Sequence, residues 1–151
     1  MAWLKHILLV EDDPRDVELT VEALKKHNLS NKMVILRDGE EALEYLYCRG
    51  RFKTRTQGNP VVVLLDLKMP KVDGLEVLRQ IKSDDKLKVV PVVIVTSSRE
   101  EQDLVRSYRL GVNAYVVKPV DFKQFHNAIG ELGLFWAVIN EPPPESAKRV
   151  K

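Results

Sequence analysis

The stretch Val61-Val62-Val63-Leu64-Leu65-Asp66 contains five aliphatic residues in succession and ends in a carboxylate. An uninterrupted apolar run rich in β-branched residues predicts a strand that is buried on both faces, which is typical of parallel sheets. Ile7–Val10 and Val89–Val95 repeat this pattern and predict two further buried strands. Met33–Leu36 and Ala114–Val117 are weaker strand candidates. We therefore expect a sheet of five strands.

Capping residues between these strands predict five helices. The predicted N-terminal caps are Asp13 before Pro14, Asp38 with Glu41, Asp73, Ser98 with Glu101, and Asp121. Apolar residues follow each cap at helical spacing, and Gly111 marks the end of the fourth helix. Alternating strands and helices predict an α/β fold with a doubly wound parallel sheet, because right-handed crossovers place helices on both faces. The expected strand order is the flavodoxin-like 2-1-3-4-5.

The composition fits one domain and no more. The chain has 151 residues, which leaves no room for a sensor or DNA-binding domain beside an ordinary one. Lys and Arg number 24 and Asp and Glu 22, so a net charge of +2 gives no drive towards nucleic acid or a membrane. A single cysteine, Cys48, excludes an intrachain disulfide and favours the cytoplasm. The N-terminal apolar run is too short for a signal peptide.

Polar residues follow four of the predicted strands. Glu11 and Asp12 follow the first, Asp66 the third, Thr96 ends the fourth, and Lys118 follows the fifth. In doubly wound sheets the ligand binds beyond the carboxyl ends of the strands, so we expect these side chains to share one site. Clustered carboxylates repel one another, and a hard divalent cation such as Mg²⁺ relieves the repulsion.

Together these residue types suit one reaction, the transfer of a phosphoryl group. An Asp carboxylate can act as a nucleophile and form an aspartyl-phosphate. Phosphoryl transfer needs positioning and charge neutralisation, which a metal ion, Lys118 and the Thr96 hydroxyl would supply around the phosphoryl oxygens. The residues therefore predict Mg²⁺-dependent transfer of a phosphoryl group to Asp66.

Four stretches resemble the motifs of bacterial response-regulator receiver domains, the CheY-like phosphoacceptors of two-component signalling. They are Ile7–Pro14, Leu65–Pro70 with Asp73-Gly74, Val93–Ser97 and Gly111–Pro119. The resemblance spans roughly residues 5–130 and implies that Asp66 is the phosphoacceptor. It further implies that Asp12 binds Mg²⁺ directly, that Glu11 acts through water, and that Asp66 and the backbone carbonyl of Lys68 complete the metal ligands.

The same resemblance implies a conformational switch. Thr96 would bond the new phosphate, Tyr115 would move inward with it, and Lys118 would pair with a phosphoryl oxygen. Receivers vary at the position of Lys68, two residues after the phosphoacceptor. We hypothesise that this long cation shields the acyl phosphate from water and slows its loss.

The carboxyl end carries an unusual apolar stretch, Gly133–Ile139, followed by Asn140-Glu141-Pro142-Pro143-Pro144. If the last helix continues through it, Phe135 and Trp136 lie ~100° apart around the axis and cannot share one narrow stripe. Such a surface must be covered, either by the sheet of its own chain or by the same patch of a second copy.

A narrower resemblance favours the second possibility. The extended final helix, the Phe135-Trp136 pair and the proline-rich tail look like the single-domain regulators that are paired with cyanobacterial and other bacterial phytochromes and dimerise through this end. We expect one receiver domain over residues 1–140, including an extended C-terminal helix, and a mobile tail over 141–151.

These inferences predict a phosphorelay protein rather than a metabolic enzyme. A sensor histidine kinase, of the phytochrome type by resemblance, would donate the phosphoryl group, and the signal would leave by contact with an unknown downstream protein. One alternative is a small Mg²⁺-dependent phosphohydrolase, which would need an acid where Lys68 stands. Others are a flavin-binding module, which Glu11 and Asp12 disfavour, and a receiver-like module that is never phosphorylated.

A basic segment precedes the third strand. Arg49–Arg55 carries four positive charges and no acid. The segment is either a solvated loop or a contact surface for an acidic protein partner, and its footprint is too small for nucleic acid.

Overall fold

The computed structural model describes residues 3–25, 33–56 and 58–118, together with Lys123. Its strands are β1 (Trp3–Val10), β2 (Met33–Leu36), β3 (Asn59–Leu65), β4 (Val92–Thr96) and β5 (Ala114–Val117). Its α-helices are α1 (Pro14–Lys25), α2 (Gly39–Tyr47), α3 (Gly74–Ser83) and α4 (Glu101–Arg109), and a 3₁₀ turn covers Gly50–Phe52. The strands form one parallel sheet in the order β2-β1-β3-β4-β5, which confirms the predicted fold class.

The central strand β3 is buried over its whole length, as its composition predicts. From Val62 to Leu65 its side chains alternate between two apolar clusters, one on each face of the sheet. Val63 and Leu65 pack in the cluster that includes residues of α2 and α3, while Val62 and Leu64 pack in the cluster that includes residues of α1. The sheet therefore has helices on both faces. The loops that follow its parallel strands meet at the carboxyl edge of the sheet.

Three of the predicted helix caps are confirmed by their hydrogen bonds. Oδ1 of Asp13 accepts from the backbone N–H of Arg15 at 2.8 Å. Asp38 and Asp73 each accept from the backbone N–H three residues ahead, at 2.8 and 3.0 Å. These contacts satisfy N–H groups that have no partner inside the first turn of a helix.

The predicted capping box at Ser98 is wrong. Helix α4 begins at Glu101, and its N-cap is Glu100, which makes no side-chain capping bond. The Ser98 hydroxyl instead donates to the buried carboxylate of Asp103 at 2.7 Å. A buried carboxylate needs a donor, and this need outweighs a local cap.

The fourth strand is shorter than its apolar run suggests. It begins at Val92, whereas Val89 and Val90 precede it, and Val89 is partly exposed. The Pro91 carbonyl already accepts a hydrogen bond from Val63, but proline has no N–H with which to continue the ladder.

The basic segment before β3 folds back on its own chain. Arg51 forms ion pairs with three glutamates of α2, at 2.7, 2.9 and 3.6 Å. Arg49 and Arg55 stack over the rings of Tyr47 and Tyr45. Three of its four cations are thus engaged within the chain, which explains the segment without an external acidic partner.

Several expectations fall outside the described residues. They are the fifth helix with its cap Asp121, the apolar pair Phe135 and Trp136, and the tail over 141–151. Among the helices that the structure does describe, none is both long and apolar enough to cross a membrane.

Candidate functional site

Backbone hydrogen bonds place the predicted site residues at one edge of the sheet. Val10 pairs with Leu65 at the ends of β1 and β3, so Glu11 and Asp66 follow side by side. The N–H of Asp66 donates to the Val10 carbonyl at 3.1 Å, and the N–H of Lys118 donates to the Thr96 carbonyl at 2.8 Å. The parallel ladder thereby extends one residue past the strands and fixes the site from the backbone outward.

Three carboxylates meet at this edge. Oxygen atoms of Glu11, Asp12 and Asp66 lie within 4.8 Å of one another. Glu11 and Asp66 are 2% and 6% exposed, whereas Asp12 is open to solvent. A group of oxygen donors with one solvent-facing member suits a hard divalent cation that keeps some of its water. The structure thus brings the three predicted carboxylate ligands together, and their binding of a metal ion stays a prediction.

The loop after β3 holds Asp66 in a fixed position. Its Oδ1 accepts the N–H of Leu67 at 2.8 Å, and the Leu67 carbonyl accepts the N–H of Gly74 at 2.8 Å. A Cβ at Gly74 would collide with the Asp66 carbonyl and lie 2.7 Å from the Leu67 Cα. Only glycine lets α3 begin this close to the loop after β3, which is the physical reason for the Asp73-Gly74 motif.

Lys118 lies among the acids. Its side chain is 10% exposed, and its Nζ lies 2.5 Å from Glu11, 2.8 Å from Asp16 and 3.4 Å from Asp66. The sequence analysis placed Lys118 in one site with Glu11 and Asp66 and missed Asp16. An acid in the first turn of α1, one position before the buried Val17, was the available signal.

Burial and charge act in opposite directions on this cluster. Burial, together with the charge of Asp66, raises the pKa of Glu11 to about 7, although the hydrogen bond from Lys118 opposes the rise. Burial alone would lower the pKa of Lys118, but hydrogen bonds to Asp16 and Glu11 and the charge of Asp66 outweigh it and raise that pKa. Lys118 therefore stays charged. Three acidic side chains contact this one ammonium, so it cannot balance all of them.

The two predicted switch residues meet at Ser98, in the loop between β4 and α4. Thr96 is fully buried, and its Oγ1 accepts the Ser98 N–H at 3.3 Å. The Tyr115 hydroxyl donates to the Ser98 carbonyl at 3.2 Å, and the side chain is half-buried. Both side chains thus bond to the backbone of Ser98, so movement of either one would break a hydrogen bond to this loop.

The ammonium of Lys68 points towards α4. It lies 3.8 Å from the buried carboxylate of Asp103, while the side chain as a whole is 70% exposed. Lys68 therefore lies at the rim of the site beside the Ser98–Asp103 hydrogen bond. The roles of its carbonyl and of its side chain stay predictions.

Comparison with known proteins decides the family. The family model "Response regulator receiver domain" matches residues 7–130. This chain belongs to the response regulator receiver family. Receiver domains act in two-component signalling through phosphorylation and bind a divalent cation, so neither the phosphohydrolase nor the flavin-binding alternative is favoured.

Two relatives refine this assignment. The receiver is 40% identical to "Response regulator Rcp1" of Synechocystis sp. over 132 residues, which cover 87% of this chain and 88% of that one. The structure titled "Bacteriophytochrome response regulator RtBRR" is 63% identical, with a TM-score of 0.82, and the likeness covers 96% of this chain and 87% of that one. The structure of the "Mn(2+)-bound form of response regulator Rcp1" is 40% identical, with a TM-score of 0.72, covering 88% and 94%.

Proposed function

We propose that this receiver accepts a phosphoryl group on Asp66 from a phosphohistidine of a sensor kinase, in a reaction that requires Mg²⁺. The observation that carries the proposal is the position of Asp66. Its buried carboxylate lies within 4.8 Å of the Glu11 and Asp12 carboxylate oxygens and 3.4 Å from the Lys118 ammonium. A nucleophile, a cation-binding acid pair and a fixed positive charge therefore converge on one small volume.

The transfer forms one bond and breaks one. An Asp66 carboxylate oxygen attacks phosphorus, the phosphorus–nitrogen bond to the histidine breaks, and the electron pair stays on the imidazole nitrogen. Glu11, Asp12, Asp66 and the Lys68 carbonyl would hold Mg²⁺, which neutralises charge on the phosphoryl oxygens. Lys118, which contacts Asp66 directly, supplies a second positive charge and needs no proton transfer to do so.

The new phosphate is read through the loop at Ser98. If the Thr96 hydroxyl turns to donate to a phosphoryl oxygen, it gives up the hydrogen bond that it accepts from the Ser98 N–H. The loop then shifts, and the bond from the Tyr115 hydroxyl to the Ser98 carbonyl is lost. The face around α4 and β5 changes shape, which alters its affinity for a downstream protein.

The kinase we propose is a phytochrome, because the chain is 63% identical to a protein titled as a bacteriophytochrome response regulator.

Homodimerisation would use Phe135 and Trp136 in an extended last helix of a single domain over residues 1–140. Phosphoryl donors derived from ATP place this chemistry in the cytoplasm. The only catalysis would be the receiver's own phosphorylation and autodephosphorylation, not turnover of a metabolite.

Intact-mass measurement tests the proposal. Purified protein is incubated with Mg²⁺ and phosphoramidate, beside an Asp66→Asn variant and a sample with a chelator. We expect one added phosphoryl group in the wild type and none in the other two. The same assay with a phytochrome-type histidine kinase and ATP tests the donor. A wild type that gains no phosphoryl group from either source would contradict the proposal and support a binding module that is never phosphorylated.

A further inference from the structure

Asp16 is the partner of Lys118 that the receiver motifs do not assign. It lies in the first turn of α1, and its Oδ2 is 2.8 Å from the Lys118 Nζ. Glu11 is nearer still, at 2.5 Å, whereas Asp66 is the most distant of the three acids, at 3.4 Å. The ammonium is therefore displaced from Asp66 towards Glu11 and Asp16.

A lysine ammonium has three N–H donors, and here three carboxylates face it. Since the Lys118 side chain is only 10% exposed, little water is available to share these contacts. A phosphoryl oxygen on Asp66 would need a donor from the same ammonium. Because the ammonium lies nearer to Glu11 and Asp16 than to Asp66, its movement onto that oxygen weakens its contact with at least one of those two acids.

Exposure decides which acid gives way. The Glu11 side chain is 3% exposed, so in the metal-free site a Glu11 carboxylate without Lys118 would keep the Asp13 N–H but lose the cation that compensates for its burial. The Asp16 side chain is 30% exposed, so water can replace Lys118 there at much lower cost. Asp16 is therefore the partner that Lys118 can release.

We infer that Asp16 is a positioning residue that holds Lys118 back from Asp66 and competes with the incoming phosphoryl group for it. The inference rests on the proposed phosphorylation of Asp66. Because the transition state gains from the Lys118 charge and the Asp16 carboxylate draws that charge away, Asp16 slows phosphoryl uptake.

The test is the rate of uptake in Asp16→Asn, followed by intact mass with phosphoramidate at saturating Mg²⁺. Asparagine keeps an oxygen acceptor but removes the competing charge, so we expect uptake about fivefold faster than in the wild type. The matched control is Asp13→Asn, which removes the same charge from the same end of α1. Asp13 caps the helix, and asparagine caps as well, so its rate should stay within about twofold.

A double-mutant cycle separates positioning from general charge effects. In a Lys118→Met background, Asp16→Asn should give no further acceleration, because the cation for which Asp16 competes is gone. Affinity for beryllofluoride, a phosphoryl mimic, gives the same cycle by ¹⁹F NMR if uptake without Lys118 is too slow. Thermal melting of each variant verifies that it is folded.

The inference is overturned if Asp16→Asn is as slow as the wild type or slower. It is also overturned if Asp13→Asn or the Lys118→Met background shows the same acceleration. A wild type that takes up no phosphoryl group from phosphoramidate or from a phytochrome-type kinase contradicts the proposed function instead, and the beryllofluoride cycle then still decides the role of Asp16. A wild type that binds neither probe overturns both.

Discussion

The Lys118 Nζ lies 3.4 Å from Asp66 Oδ2, although 52 residues separate the two in the chain. Both side chains are almost fully buried, at 10% and 8% exposed. Their proximity follows from the parallel ladder, which brings the ends of β3, β4 and β5 to one edge. Both the stability of the site and its chemistry consequently depend on the Lys118 ammonium.

Removal of the Lys118 ammonium should destabilise the protein. In Lys118→Met, Glu11 and Asp66 lose their buried counter-ion, so we expect the free energy of unfolding to fall by roughly 3 kcal/mol. Urea denaturation at neutral pH with a chelator measures this, and added Mg²⁺ should restore part of the loss. The control Lys71→Met removes a half-exposed ammonium that lies 3.7 Å from Asp38 and 3.4 Å from Glu40, and it should cost less than about 1 kcal/mol. Equal losses in the two variants would contradict the prediction.

Metal affinity should depend on pH through Glu11. Its pKa of about 7 means that acidification below neutrality adds a proton that competes with the cation. We expect Mg²⁺ affinity to rise with pH, by up to about tenfold per unit, and to level off above about pH 7. Calorimetric titration from pH 5.5 to 8.5 measures the profile, which should be flatter in Glu11→Gln.

The raised pKa of Glu11 also makes the stability of the metal-free protein depend on pH. The folded-state pKa of Glu11 is raised from its ordinary value of 4.5, so the contribution of this residue to stability is fully present below pH 4.5 and is lost as pH rises through about 7. The free energy of unfolding, measured by urea with a chelator, should therefore decline over this interval relative to Glu11→Gln. A parallel pH profile in the two proteins would contradict the prediction.

Gly74 should be irreplaceable for steric reasons. A Cβ there meets the backbone of Asp66 and Leu67, which cannot move without displacing the Asp66 carboxylate. We expect Gly74→Ala to abolish Mg²⁺ binding and to cost roughly 3 kcal/mol or more in unfolding free energy.

The matched control for Gly74 is Gly111→Ala. Gly111 has a φ of 98°, but a Cβ there would be 3.5 Å from its nearest neighbour, Lys82 Cγ. It should cost only about 1–2 kcal/mol of backbone strain and leave Mg²⁺ binding intact. Calorimetry and urea denaturation of both variants decide the matter, and Mg²⁺ binding by Gly74→Ala would refute the steric argument.

The shielding hypothesis for Lys68 predicts a shorter phosphorylated lifetime in Lys68→Ala. The side chain is 70% exposed, and an exposed charge contributes less than about 1 kcal/mol, so the half-life should fall by about threefold. Loss of the phosphoryl mass after removal of the donor measures it. Lys71→Ala, in the same loop, should leave the half-life unchanged, and an unchanged half-life in Lys68→Ala would end the hypothesis.

The dimer proposal predicts a change of mass in solution. Phe135→Ala with Trp136→Ala should convert a dimer into a monomer of 17.3 kDa by light scattering. The control Tyr108→Ala removes an aromatic ring that is 53% exposed on α4 and should leave the dimer intact. If the double variant keeps the wild-type mass, this patch does not form the interface.

Local sequence by itself determined the elements and the acids of the site. Continuous apolar runs gave the buried strands β1 and β3, because a parallel sheet covered on both faces excludes polar side chains from its central strands. Asp13, Asp38 and Asp73 marked helix starts because a cap bonds to N–H groups two or three residues away. Strand-end positions then grouped Glu11, Asp12 and Asp66, since parallel strands end at one edge.

Only the tertiary structure decided which groups share a partner. Asp16 meets Lys118 across 102 residues, and its position in the first turn of α1, before the buried Val17, does not identify Lys118 as its partner. Ser98 carries a capping signal, yet its hydroxyl bonds to Asp103, because burial of that carboxylate outweighs a solvent-exposed cap. Sequence patterns report interactions within a few residues, whereas competition for a buried charge depends on distances that exist only once the sheet has assembled.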